Sequence, residues 1–326
     1  MIVPEAKWVL TYSGADITGD IAGDALMIVY TDADHGKSDE IEVRLEDRMH
    51  RWKGSWYPEK GDVMDLMIGW IGRGLLPCGK FEVDEISFDG PPDTVTVRGL
   101  AAPVTASLRT TKTRAFENKT LRQIAEQIAG EHGLTVEGEI EDITIKRVTQ
   151  NDERDLEFLR RVAEEYAHVF AVRDTVLFFS TIASLEAQDP VALIPRTEMK
   201  RFAFTDKTHE VYKECTLSYH DPETAQLISV TVEAEDITTG DTLKVRARVE
   251  SEAQARTRAE AELKRANAKR LRGRIEIVGD HRMIAGNVIE VALMGKLSGR
   301  YYVETSRHRI ERGAGYTTEI EVRRVA

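Results

Sequence analysis

The sequence predicts a mainly β protein in which two similar antiparallel β-barrel modules, residues 1–105 and 196–326, flank a small α/β insert at 106–195. Three observations predict it. A Gly-punctuated pattern occurs near the front as Gly61-Asp62-Val63-Met64-Asp65-Leu66, Gly79-Lys80-Phe81-Glu82-Val83 and Thr94-Val95-Thr96-Val97-Arg98. It returns near the end as Gly286-Asn287-Val288-Ile289-Glu290-Val291, Gly299-Arg300-Tyr301-Tyr302-Val303 and Thr318-Glu319-Ile320-Glu321-Val322-Arg323. Apolar and polar residues alternate in each run, which is how half-buried strands read. Between the two copies the period changes to that of helices, and 326 residues suffice for more than one core.

Upstream of the first copy, strands are predicted at 7–12, 26–31 and 41–45, followed by a break rich in Trp and Arg. In the insert, Thr120 and Gln123 have the spacing of a capping box. Leu121, Ile124, Ala125 and Ile128 then form an apolar stripe that Gly133 stops. A second helix is predicted from Asn151 or Asp152 through Leu156, Leu159, Val162, Ala163 and Tyr166, then a hairpin of 169–172 and 175–179 about Arg173-Asp174. Asp189-Pro190 and Ile194-Pro195 mark the end of the insert.

The second module is predicted to open with strands at 211–219, 227–234 and 243–249, so that both modules read as three strands, an interruption and three strands. Its interruption is a helix at 251–271, with the capping-box spacing Ser251 and Gln254 and six alanines. Ala255, Ala259, Leu263 and Ala266 line a narrow face, while Arg256, Lys264, Lys269 and Arg270 crowd the rest. Such a helix lies across a barrel on its small residues or presents its cations to an acidic neighbour.

The net charge of −11 is uneven. Residues 1–105 carry 10 Lys plus Arg against 19 Asp plus Glu, residues 106–250 carry 19 against 27, and residues 251–326 carry 16 against 10. The overall sign argues against nucleic-acid binding, and its reversal along the chain fits surfaces that meet other protein chains. Apolar runs are too short to span a bilayer, and the first nine residues lack a signal-peptide core, so neither membrane insertion nor standard export is expected. Two distant cysteines, Cys78 and Cys215, fit a chain made in a reducing cytoplasm.

The residues offer little chemistry. From Asp32, a calcium loop would need Gly at its sixth position and a carboxylate at its twelfth, but Gly36 falls at the fifth and Val43 at the twelfth. The eight histidines have no zinc-site spacing, and His308 reads as a structural imidazole in a strand. Cys215 and His220, five apart on one strand, point to opposite faces. Gly72-Arg73-Gly74 lacks the rest of a phosphate loop, and nothing singles out a carboxylate pair. No catalytic, cofactor-binding or metal-binding residue is therefore assigned. Trp52, Trp56, Tyr57 and Trp70 are candidates for module core, an intersubunit seam or a sugar-stacking platform. Arg256, Lys264, Lys269 and Arg270 are candidates for an interface with an acidic surface.

The closing stretch, from Gly286-Asn287-Val288-Ile289 through Gly299-Arg300-Tyr301-Tyr302-Val303 and His308 to Gly315-Tyr316-Thr317-Thr318-Glu319-Ile320-Glu321-Val322-Arg323, resembles the C-terminal signature of the phage late control D family. Gln150-Asn151-Asp152-Glu153-Arg154-Asp155-Leu156-Glu157-Phe158-Leu159-Arg160-Arg161-Val162-Ala163 resembles the middle segment of that family, the baseplate hub of contractile-tailed phages and related injection machines. The resemblance implies a structural protein of the virion tail baseplate, with no enzyme activity and no cofactor. It implies a homotrimer whose six quasi-equivalent barrels join a threefold spike to a sixfold tail tube. Partners would be the chain itself, the spike, the tube protein and other baseplate proteins. Because the sequence ends at Ala326, directly after the second module, the spike is expected to be a separate polypeptide, unlike in the related type VI spike proteins. The other reading the residues leave open is a tail-associated cell-wall hydrolase or carbohydrate-binding module.

Overall fold

The alternating runs of the first hundred residues become β1 (Ala6–Tyr12), β2 (Ala15–Asp16), β3 (Ala25–Ala33), β4 (Glu40–Glu46), β5 (Val63–Trp70), β6 (Gly74–Asp89) and β7 (Thr94–Ala101), with one helical turn, α1 (Thr18–Ile21). The computed structural model describes residues 5–34, 38–101, 110–173, 175–207, 211–220, 226–234, 237, 239–247, 249, 251–268 and 270–325. Alternate side chains face one core, among them Ile28, Tyr30, Ile41, Val43, Leu66, Ile68, Phe81, Val95 and Val97. Burying each large apolar side chain contributes about 1.5–3 kcal/mol.

The insert contains β8 (Thr111–Thr120), α2 (Leu121–Glu131), β9 (Thr135–Glu137), β10 (Thr144–Arg154), α3 (Asp155–Glu165), β11 (His168–Arg173), β12 (Val176–Thr181) and α4 (Ile182–Ala187). The capping box forms as predicted: Gln123 N donates to Thr120 Oγ1 at 3.2 Å, and Thr120 N donates to Gln123 Oε1 at 3.0 Å. The second helix starts later than predicted. Asn151 and Asp152 lie where β10 bulges against β8, with Asp152 at φ +51, and pairing of Glu153 with Lys112 keeps the chain extended up to Arg154. Glu157 then reaches back to accept the Arg154 N–H at 3.2 Å. β11 and β12 pair as the predicted hairpin, whose Asp174 lies outside the described residues.

The remaining elements are β13 (Leu193–Pro195), β14 (Arg201–Asp206), β15 (Tyr212–His220), β16 (Leu227–Glu233), β17 (Asp241–Arg246), α5 (Glu252–Asn267), β18 (Leu271–Val278), β19 (Val288–Ala292), β20 (Gly299–Glu311) and β21 (Gly315–Arg324). One 13-stranded sheet runs through both modules in the order β14-β18-β21-β20-β3-β4-β7-β6-β5-β1-β2, with β19 on β20 and β13 on β19. Its strand order repeats. β5, β6 and β7 form a meander bordered by β4 and then β3, just as β19, β20 and β21 form one bordered by β18 and then β14.

That correspondence changes the predicted register of the repeat. The strands at 211–249 do not open the second module; they pair with one another in a separate sheet, β16-β15-β17. α5 covers one face of it, setting Ala255, Ala259 and Leu263 on Cys215, Leu217, Tyr219, Val230 and Val232. Cys215 is buried and His220 exposed, on opposite faces as predicted. This unit sits between β14 and β18, where the first module has only the short connection from β3 to β4. The helix stops at Asn267 instead of 271, because Leu271, Ile275 and Ile277 alternate into the core of the second module as β18. Ile194 joins that same core and β13 pairs in parallel with β19, so the last strand before residue 196 packs with the second module.

Candidate functional site

The two modules meet along the β3–β20 ladder, from Ala33 opposite Thr305 to Met27 opposite Glu311. Side chains from both sides lock this seam. Trp70, at the end of β5, donates its indole hydrogen to the Gly279 carbonyl at 2.7 Å and packs on Tyr316 with ring centroids 5.2 Å apart. Gly279 has to be glycine, since a Cβ there would lie 2.1 Å from Cγ of Tyr316. Asp32 accepts the Ala285 N–H at 2.8 Å, and Asp39 accepts the Ala33 N–H at 3.2 Å and the Tyr30 hydroxyl at 3.3 Å. These carboxylates of the excluded calcium loop are therefore buried structural acceptors; residues 35–37 between them lie outside the described residues.

His308 is buried in the same seam and stacks on Tyr30 at 5.9 Å. The Met283 carbonyl, 2.8 Å from Nε2, can only accept, so Nε2 carries the hydrogen. Nδ1 then accepts from the Tyr316 hydroxyl at 2.8 Å. Burial pushes this imidazole down to about 4, which holds it neutral as a structural group.

A charged network borders the seam where three parts of the chain converge. Arg323 on β21, almost fully buried, pairs with Glu186 of α4, approaches Glu304 of β20 at 3.6 Å and lies over the Tyr302 ring at 4.4 Å. Arg272 of β18 reaches Glu304 at 3.2 Å. Asp34, just past β3, donates its N–H to the Glu304 carbonyl at 3.1 Å. Burial, and then the like charge of Glu304, push the Asp34 carboxyl up to about 6 against the opposing pull of Arg323.

The aromatic candidates divide between different surroundings. Trp52 is buried in the first module's core and meets Trp56 edge-on at 5.5 Å. Trp56 is 37% exposed with the Arg51 guanidinium 4.3 Å above it, and Tyr57, 52% exposed, stacks on Phe88. Trp70 packs elsewhere, on Tyr316, so the four do not build one platform.

The basic helix meets an acidic neighbour within its own chain, through residues other than those predicted. Arg258 approaches Glu165 at 3.4 Å and Arg265 approaches Glu164 at 3.4 Å, both on α3, while Gln254 donates to the Tyr166 hydroxyl at 2.6 Å. Arg258 and Arg265 are seven apart, two turns along one face, and that spacing was the available signal. Arg256 and Lys264 are exposed, Arg270 is exposed with Asp206 3.7 Å away, and Lys269 lies outside the described residues.

A further cluster escaped sequence reasoning. Asp155, fully buried at the start of α3, accepts from Lys112 at 2.7 Å, Arg114 at 2.8 Å and Gln150 at 2.8 Å, with His132 Nε2 at 2.7 Å. Burial alone would raise its carboxyl, but hydrogen bonds from Lys112, His132 and Gln150 and the charge of Arg114 bring it down to about 2. Glu131, His132 and Asp155 place three potential metal-ligand atoms within 4.8 Å of one another. Two fixed cations already occupy the Asp155 oxygens, so the group works as a buried ion-pair cluster that ties β8, β10, α2 and α3 together.

Comparison with known proteins adds a family. The family model of the phage tail baseplate hub (GPD) matches residues 82–314. A probable baseplate hub protein of Escherichia phage P2 is 29% identical over 208 residues, which cover 61% of this chain and 53% of that protein. The chain thus spans about half the length of this curated relative. A tail protein from Neisseria meningitidis MC58 has a similar fold, with a TM-score of 0.76 at 10% identity over 98% of this chain and 97% of that one. So does the 43 kDa tail protein of prophage MuSo2 from Shewanella oneidensis, with a TM-score of 0.76 at 16% identity over 98% of each chain.

Proposed function

Because this chain belongs to the phage tail baseplate hub (GPD) family, we propose that it is the structural hub of a contractile tail or tail-like particle, three copies of which close a ring of six similar β-barrel modules. One observation carries this reading: the way the two modules already meet. Within the chain, β3 lies along residues 305–311 of β20, on the same edge that β19 occupies further up. The repeat makes β14 the counterpart of β3, and β6 the counterpart of β20. Among the described residues, β14 has one sheet neighbour, β18, and residues 85–89 of β6 have one, β7. Seating β14 of one copy on residues 85–89 of the next would repeat the internal junction, and a head-to-tail contact of this kind closes into a ring when its rotation allows. The acidic first module and the basic closing region favour that polarity.

A threefold ring presenting six similar modules adapts a threefold spike to a sixfold tube. The partners on this reading are further copies of the chain, a spike polypeptide, the tail tube protein and other baseplate proteins, in a tail baseplate assembled after synthesis in the host cytoplasm. Mass measurement of the protein released from particles, or of the chain mixed with its spike, is expected to give multiples of three. A dimer under all conditions would overturn the ring.

A further inference from the structure

The two modules match residue by residue, and the turn before each meander fixes the register. Gly61 N donates to the Val83 carbonyl and Gly286 N to the Val303 carbonyl, both at 2.9 Å. Asp62 N donates to the Glu59 carbonyl at 3.3 Å and Asn287 N to that of Ile284 at 3.2 Å, so Lys60 stands where the second module has Ala285. Across the ladders, Val83 leads to Gly99, Ile41 and then Tyr30, while Val303 leads to Val322, Gly273 and then Phe204. Phe204 meets Tyr301 edge-on at 5.6 Å, as Tyr30 meets Phe81 at 6.0 Å. Thr205-Asp206 on β14 therefore repeats Thr31-Asp32 on β3, the same two residues at the same place.

The two aspartates differ in their surroundings. Asp32 is fully buried, because β20 lies on β3 and Asp32 accepts the Ala285 N–H at 2.8 Å. The Asp206 side chain is 56% exposed, with the Arg270 guanidinium 3.7 Å away, and Phe202 on the same face of β14 is 41% exposed. We propose that Asp206 makes the same lock between copies: where a second copy lays residues 85–89 on β14, the ring contact on which this rests, the Asp206 carboxylate accepts the Lys60 N–H of that copy. The positive charge of Lys60 favours an acidic acceptor at this turn. β6 shifts register between Val83 and Glu85 as β20 does between Val303 and Thr305, so residues 85–89 match 305–309. Within the chain, Arg307 lies opposite Thr31 and His308 opposite Tyr30. Between copies, Ser87 then lies opposite Thr205 and Phe88 opposite Phe204, and these two rings take the place of the stacked Tyr30 and His308.

The test is disulfide cross-linking in particles that carry Ser87→Cys/Thr205→Cys, the native Cys78 and Cys215 being buried. Residues opposite one another in an antiparallel ladder lie within disulfide reach, so chains linked in twos and threes are expected. Ser87→Cys/Ala203→Cys, two residues out of register, should stay unlinked; linkage there instead would overturn the register and the lock with it. Adding Asp206→Ala to the first pair should lower the linked fraction about tenfold or more, the weight of a hydrogen bond to a charged group. The melting temperature of the lone chain should hardly move, because Asp206 is exposed there. Linkage undiminished by Asp206→Ala would overturn the lock and leave the ring standing. Normal incorporation with no linkage at 87 and 205 would overturn the ring contact itself. Should the cysteine variant fail to incorporate, Asp206→Ala in the otherwise unaltered chain decides: about a tenfold loss of incorporation is expected, and normal incorporation would sink the lock.

Discussion

His308 and Asp34 both sit where the modules join, and they titrate in opposite senses. The buried imidazole takes a proton only near pH 4, against 6.5 when unfolded, so its contribution to stability is complete above pH 6.5 and is lost as pH falls toward 4. The Asp34 carboxyl ionises near 6 in the fold and near 3.8 unfolded, so its contribution is complete below 3.8 and is lost as pH rises through 6. Each difference is worth on the order of 3 kcal/mol, so the two largely offset each other between about pH 4 and 6. Asp34→Asn is therefore expected to raise stability at pH 7 by about 2–3 kcal/mol and to expose a steady loss on acidification. Thermal unfolding across that range checks it; a curve parallel to the wild type would remove Asp34 from the network. Gly279→Ala drives a methyl into the Tyr316 ring and should cost about 1–3 kcal/mol. Gly23→Ala, with open space around it, should leave the melting temperature unchanged. Sequence reasoning named Trp70 and His308 but not what they hold, because their partners across the seam lie hundreds of residues away.

At the scale of elements, local chemistry placed helix starts well where the cap lay within one turn. Ser251 accepts the Gln254 N–H at 3.2 Å, as Thr120 accepts that of Gln123, and both helices begin at the next residue. It failed at α3, where the ladder with β8 overrides the capping preference of Asn151 and Asp152. The end of α3 carries a different tension. Ala167, directly after the cap residue Tyr166, has φ +54, a left-handed conformation that glycine adopts without its side-chain penalty. Ala167→Gly is expected to stabilise the chain by about 0.5–1 kcal/mol, the relief of strain exceeding the added freedom of the unfolded chain. Equilibrium denaturation of the two proteins checks it, and a destabilised variant would show that the αL position is not strained.

For the whole molecule, the edge of β14 away from β18, on which no strand lies among the described residues, is the place where the ring reading is most exposed to test. Backbone N–H groups of successive strand residues point to opposite edges, so Phe202→Pro and Ala203→Pro remove one outward and one inward donor. One of the two is expected to leave the lone chain's melting temperature nearly unchanged while abolishing incorporation into particles, and the other to lower that temperature by weakening the ladder with β18. Normal incorporation of both would separate β14 from any contact between copies. The sequence by itself determined the strand and helix periods, the repeated meander, the caps of α2 and α5 and the opposite faces of Cys215 and His220. All of these depend on residues within a few positions of one another. Only the tertiary structure decided that the strands at 211–249 leave the main sheet, that β3 joins β20, and that Arg258 and Arg265 rather than Arg256 and Lys264 meet α3. Antiparallel strands with the same alternation are interchangeable in sequence, and which edges pair is settled by which cores can close, a property of the chain as a whole.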